Sequence, residues 1–130
     1  MKQLYFKNFW YTIANLYSFC LLIFAIYPCR PHNTTVMGIF LFDKVLHLFC
    51  YFWLPIVNSI MIKTFWPLIS FLFFFSFLTE FLQYLTNCGG VEFLDIISNL
   101  IGCASGLIFI VIFPNIIFKI DQQILNLLKK

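Results

Sequence analysis

Four stretches of this chain are apolar over a length that suits a membrane-spanning helix: residues 9–27, 45–62, 67–86 and 93–118. A helix rises about 1.5 Å per residue, so roughly 20 apolar residues cross the hydrocarbon core of a bilayer. The 130-residue chain contains 19 phenylalanines and has a mean hydropathy of +0.95, more apolar material than a soluble core of this size hides. We therefore predict a single all-α membrane domain over residues 1–130: a four-transmembrane-helix bundle followed by a short amphipathic C-terminal tail at residues 119–130.

Basic residues are distributed unequally between the two ends of this predicted bundle. Only Arg30 and Lys44 lie at the end opposite the termini. Six lysines lie at the end with the termini and the middle loop: Lys2, Lys7, Lys63, Lys119, Lys129 and Lys130. Because cytoplasmic loops are enriched in Lys and Arg, this bias predicts a multi-pass protein of the cell membrane with both termini cytoplasmic.

The C-terminal tail is predicted to be an interfacial helix. Ile120, Ile124, Leu127 and Leu128 fall on one helical face, and lysines follow them. Such a segment is expected to lie along the inner leaflet with its lysines towards anionic lipid. The first apolar stretch follows lysines as a signal peptide does, but it is too long and lacks a small-residue cleavage site, so we predict a retained helix.

Polar side chains converge at one depth, in the outer half of the predicted bundle. They come from the opening of the second helix, the last turns of the third and the start of the fourth: Asp43, Lys44, His47, Tyr51, Glu80, Gln83, Asp95 and Asn99. An ionisable side chain at the centre of a bilayer costs roughly 2.5–3.5 kcal/mol. Glu80 follows a Phe-rich run, so its carboxyl group needs a partner or a proton, and His47 is the expected partner.

Each of these residues also has a purely structural interpretation. Asp43 and Lys44 can be interfacial anchors, and His47 can be an inert hydrogen-bonded residue. Asp95 can be a helix N-cap. The amides of Gln83 and Asn99 can simply join helices by hydrogen bonds. The convergence of the whole set at one depth favours a functional site, with His47, Glu80 and Asp95 as candidate catalytic residues.

Small residues on the fourth helix indicate close helix packing. Ser98, Gly102 and Gly106 recur every four residues, a spacing that lets a neighbouring backbone approach. Cys29 and Cys88 both fall in outward loops, where an oxidising compartment would permit a disulfide. The sequence contains neither zinc-finger cysteine spacing nor a Gly-rich phosphate loop. We therefore expect no metal, no cofactor and no nucleic-acid partner.

Two blocks of the sequence resemble the VanZ-like family. Asp43-Lys44-x-x-His47-x-x-x-Tyr51 resembles the first family block. Glu80-x-x-Gln83, followed by Asp95-x-x-x-Asn99-x-x-Gly102-x-x-x-Gly106, is similar to the second. The resemblance covers about residues 43–106. It implies a small multi-helix membrane protein of a family named for a gene linked to teicoplanin resistance, with the eight polar residues at its characteristic positions. Where that family commonly has a loop Arg, this chain has Gly89 and Gly90.

These features favour a cell-envelope protein that binds a membrane lipid or a lipid-linked wall precursor at the outer leaflet. The first alternative is a membrane-embedded acid–base enzyme, with His47 as base oriented by Asp43 or Asp95 and Glu80 as acid. A proton-coupled carrier is less favoured, because the inner half of the bundle offers few polar residues. The identity of the ligand and the oligomeric state stay open.

Overall fold

The computed structural model describes residues 5–26, 37–86 and 93–129, with side chains for 5–24, 44–86 and 93–129. These residues form five α-helices and no strand. The helices are α1 (Lys7–Ile26), α2 (Met37–Asn58), α3 (Phe65–Leu85), α4 (Phe93–Ile112) and α5 (Ile116–Leu128). The predicted all-α class therefore holds for the described part of the chain. Cys29, Cys88, Gly89 and Gly90 lie outside the described residues, and with them the disulfide that an oxidising compartment would permit.

Three helix boundaries differ from the sequence prediction by four residues or more, including the end of α2, which lies at Asn58 rather than at residue 62. α2 begins at Met37 rather than near residue 45, so Lys44 and His47 lie about two turns inside the helix instead of opening it. α4 ends at Ile112 rather than at residue 118, and α5 begins at Ile116. The break falls at Pro114, which has no N–H to donate and whose ring conflicts with a continuing helix.

α2 and α4 form the tightest helix pair, and glycines make the contact. A Cβ added to Gly102 would lie 2.5 Å from the Leu48 carbonyl oxygen, and one added to Gly106 would meet the Phe52 carbonyl and lie 2.5 Å from Pro55 Cγ. The two backbones therefore touch without intervening side chains. Ser98 is half-buried, and its hydroxyl donates to the Leu94 carbonyl of its own helix at 2.8 Å.

The directions of the helices follow from their contacts. Along α2 and α4 the contacts advance together, from Lys44 with Asp95 to Phe52 with Gly106, so the two helices run parallel. The connection between α2 and α3 spans only residues 59–64, and Ser59 and Met61 close turns there. So short a connection makes α3 run antiparallel to α2. The end of α3 therefore lies beside the starts of α2 and α4.

The interior of the bundle is small, and its surface is strongly apolar. Seven buried residues from all four long helices form the core: Leu21, Tyr51, Leu54, Leu68, Leu72, Phe75 and Cys103. Many large side chains remain exposed, including Phe74, Phe77, Ile108 and Val111. α3 and α4 are long and apolar enough to cross a membrane, and only 33% and 28% of their apolar windows are buried inside the protein. The structure thus shows an all-helical protein with two helices suited to a membrane.

Candidate functional site

An ion pair joins α2 to α4 near the start of α4. Lys44 Nζ on α2 contacts Asp95 Oδ1 on α4, and both side chains are largely buried. Asp95 lies within the first turn of α4, where the free backbone N–H groups also favour a negative charge. Two charges at low exposure offset each other's desolvation cost only when they are paired, as here.

Asn99 connects the other two ionisable residues of the site. Its carbonyl oxygen lies 2.9 Å from His47 Nδ1, and its amide nitrogen donates to Glu80 Oε1 at 3.3 Å. Asn99 is fully buried, and Glu80 is 2% exposed. With the Asn99 oxygen as acceptor, the His47 proton is on Nδ1. The direct His47–Glu80 pairing expected from the sequence is therefore replaced by a bridge through Asn99, which ties α2, α3 and α4 together.

Tyr51 extends the site by one turn towards the middle of the bundle. Its ring lies parallel to the His47 ring, with centroids 6.4 Å apart, and its hydroxyl contacts Thr79 Oγ1. Thr79 Oγ1 donates its hydrogen to the Ser76 carbonyl at 2.8 Å, so Tyr51 is the donor to Thr79. Ser76 is fully buried, and its own hydroxyl has no hydrogen-bond partner among the described residues.

We call these side chains the polar cluster: Lys44, His47, Tyr51, Thr79, Glu80, Asp95 and Asn99. Six of them are residues that the sequence singled out, and the structure brings those six together. Gln83 lies half-buried on α3 and makes no side-chain hydrogen bond within the described part of the chain. The side chain of Asp43 lies outside the described side chains. No group of three His, Cys, Asp or Glu residues in the described ranges is arranged to hold a metal ion.

Thr79 and Ser76 are the cluster contacts that the sequence analysis missed. Both recur at helical spacing with Glu80 and Gln83, on the same face of α3. That spacing was a usable signal. Hydroxyl side chains are common in membrane helices, so each one is a weaker indication of a functional site than a carboxylate is.

A second polar layer lies closer to the other end of the bundle and joins α1 to α2. Asn58 donates to Ser18 Oγ at 3.1 Å and to the Leu54 carbonyl at 3.0 Å. Tyr17 donates to the Cys50 carbonyl at 2.6 Å. The Asn58–Ser18 and Tyr17–Cys50 hydrogen bonds therefore join α1 to α2, whereas the Asn58–Leu54 bond lies within α2.

Asp121 on α5 is a further buried carboxylate, and the sequence analysis did not single it out. It accepts hydrogen bonds from the backbone N–H groups of Tyr5 (2.7 Å) and Phe6 (3.1 Å) and from Trp10 Nε1 (2.9 Å). Burial raises the pKa of Asp121, but these three hydrogen bonds outweigh it and hold the pKa below its ordinary value. An acidic residue between Ile117 and Ile124 on the apolar side of an amphipathic helix was the available signal.

Comparison with known proteins adds no relative. No protein-family model matches the chain, and neither a curated protein nor a solved structure matches it. The VanZ-like resemblance therefore stays a prediction from the two sequence blocks, and the function has to be argued from the geometry of the polar cluster.

Proposed function

We propose that this chain is a VanZ-like, multi-pass protein of the bacterial cell membrane whose polar cluster binds the polar part of a membrane lipid or of a lipid-linked envelope precursor. One observation carries the proposal: the Lys44–Asp95 pair and the His47–Asn99–Glu80 bridge join three helices at one level, inside a bundle with an apolar exterior. Ionisable groups placed that way in a membrane protein generally mark a functional site.

The position of the cluster suits a lipid headgroup. It lies near the start of α4, about two to three turns inside α2 and within two turns of the end of α3, which leaves it within reach of the interface if these helices span the bilayer. Lys44 and His47 are only partly buried, whereas Asn99 and Glu80 lie deeper. A headgroup approaching from the interface would therefore meet a cation and an imidazole first. A headgroup that offers hydrogen-bond acceptors could replace some of the bonds that these side chains make with one another, so that binding leaves none of them unpaired.

The topology that this proposal assumes has four spans and cytoplasmic termini. Reporters fused after Lys130 and inserted at Lys63 should then read cytoplasmic, and reporters inserted at Asn33 and Gly89 should read external. An external C-terminus would place the polar cluster, and with it the proposed ligand, at the inner leaflet instead of the outer leaflet. It would leave the geometry of the cluster unchanged.

The direct test is lipid co-purification. The wild-type protein extracted with its surrounding bilayer should retain one lipid class above its membrane abundance, as measured by mass spectrometry. His47→Ala and Asp95→Asn should reduce that enrichment about tenfold or more, because each removes a group that would contact the headgroup. Lys63→Gln, which removes an exposed lysine in the α2–α3 connection, is the matched control. Equal enrichment in all four proteins would contradict the proposal.

The acid–base enzyme remains the second candidate, and one observation favours it: His47 and Glu80 hydrogen bond to the same Asn99 amide. Asn99, rather than Asp43 or Asp95, would then orient His47, leaving Nε2 to take a proton from substrate. A deletion strain that accumulates an unmodified lipid, restored by wild type but not by His47→Ala, would establish turnover. Unchanged lipids with altered teicoplanin tolerance would favour binding.

A further inference from the structure

The end of the bundle opposite the polar cluster carries a contact between two helices that are far apart along the chain. Asp121 reaches from α5 to the start of α1 and accepts from Tyr5, Phe6 and the Trp10 indole. The first N–H groups of a helix have no partner within it, and its positive end favours a carboxylate. A 13-residue helix such as α5 is marginal in isolation. This contact therefore holds α5 in one orientation at the end where α1 begins.

That orientation leaves an apolar stripe of α5 uncovered. Leu127 and Leu128 are each 72% exposed, and Ile120 lies on the same face. Lys119 and Lys129 are exposed on the other side of the helix. Lys7 at the start of α1 and Lys63 in the α2–α3 connection are exposed too, and Trp66 at the start of α3 is 75% exposed.

We propose that α5 and residues 5–10, which we call the terminal surface, dock onto the anionic lipid headgroups of the adjacent leaflet, with Asp121 fixing α5 in the docking orientation. Charge complementarity identifies the occupant. Apart from the internally bonded Asp121, the described charged residues of α5 and of the start of α1 are all lysines. An amphipathic helix with an apolar face and a basic opposite edge binds at the boundary between headgroups and acyl chains. Exposed tryptophan prefers the same depth.

Hydrogen–deuterium exchange on the full-length protein in lipid nanodiscs tests this inference. Amides of α5 should be more protected in discs containing phosphatidylglycerol than in phosphatidylcholine discs, by about fivefold for each lysine that contacts the anionic surface. Lys119→Gln with Lys129→Gln should abolish that lipid dependence. Gln123→Ala with Asn126→Ala, which removes two uncharged polar side chains from the same helix, should preserve it.

Two further outcomes decide the rest of the inference. If α5 is equally protected in both lipids, anionic headgroups do not hold it, and if it is protected only at high protein concentration, a second copy of the chain covers the stripe. Either result overturns the anionic-lipid assignment. Asp121→Asn should expose the Tyr5 and Phe6 amides in either lipid and remove the effect of phosphatidylglycerol on α5. If that variant behaves as wild type, Asp121 does not orient the terminal surface. Neither result depends on ligand binding at the polar cluster.

Discussion

The two ends of the molecule bury carboxylates in different ways. Asp121 receives its hydrogen bonds from two backbone N–H groups immediately before α1 and from an indole in the first turn of that helix. Asp95 and Glu80 are contacted by side chains from other helices, Lys44 and Asn99. A backbone donor cannot leave while the helix exists, whereas a side chain can rotate and bond a ligand. We therefore expect Asp121 to hold structure and the polar cluster to be able to exchange partners.

The scaffold beneath the polar cluster should give the largest mutational effect. Gly106→Leu would drive a side chain into the Phe52 carbonyl and Pro55, and Gly102→Leu would drive one into the Leu48 carbonyl. Because backbone atoms cannot move aside as a side chain can, we expect each to cost about 3 kcal/mol or more and to lower membrane abundance sharply. Ala104→Leu, at an exposed position of the same helix, is the control for side-chain size. Wild-type abundance of the glycine variants would mean that α2 and α4 do not touch through their backbones.

Asp121→Ala should have the next largest effect on stability. It removes three hydrogen bonds to a charged acceptor and leaves their donors without that partner, which we expect to cost about 2 kcal/mol. Thermal unfolding in detergent, together with the fluorescence of Trp10 in a variant that lacks the other tryptophans, measures both consequences. Asn126→Ala on the exposed side of α5 should change neither. An unaltered Trp10 signal in Asp121→Ala would show that the indole does not depend on the carboxylate.

Part of the fold and part of the candidate site could be predicted from the sequence. Both ends of α1 and of α3 lie within two residues of the ends predicted for their spans. An apolar run that is bounded by lysines and polar residues defines its own ends. The early start of α2 was missed, because the predicted span was placed at the apolar run from residue 45 and the charged residues Asp43 and Lys44 were interpreted as the opening of the helix. Helical spacing placed Lys44, His47 and Tyr51 on one face, and Asp95 and Asn99 on another. It could not show that Asn99 would bridge His47 and Glu80, because that depends on the relative rotation of three helices. Asp121 was missed because its partners lie more than 110 residues away along the chain.

The polar cluster itself should respond in function more than in stability. His47→Ala and Asp95→Asn should leave membrane abundance near wild type, because Lys44 and His47 are not fully buried and the introduced amide can still accept a hydrogen bond from Lys44. Both should abolish the envelope phenotype that the intact protein confers. Abundance and phenotype have to be measured together, with Gly102→Leu as the variant that loses both. If the His47 and Asp95 variants keep the phenotype, the cluster only joins helices and the proposed ligand site is wrong.

The smallest expected effect is the pH dependence of the Asp121 contact. The folded-state pKa of Asp121 lies below its ordinary value, so the ionised form is favoured by folding. The stability it contributes is present above the unfolded-state pKa, about 4, and is lost as the pH falls through the folded-state pKa. The difference in thermal midpoint between wild type and Asp121→Asn should therefore be constant from neutral pH down to about pH 5 and should narrow below pH 4. A difference that narrows near neutral pH instead would mean that a group other than the Asp121 carboxylate controls the contact, and the contrast between the two ends of the molecule would lose its basis.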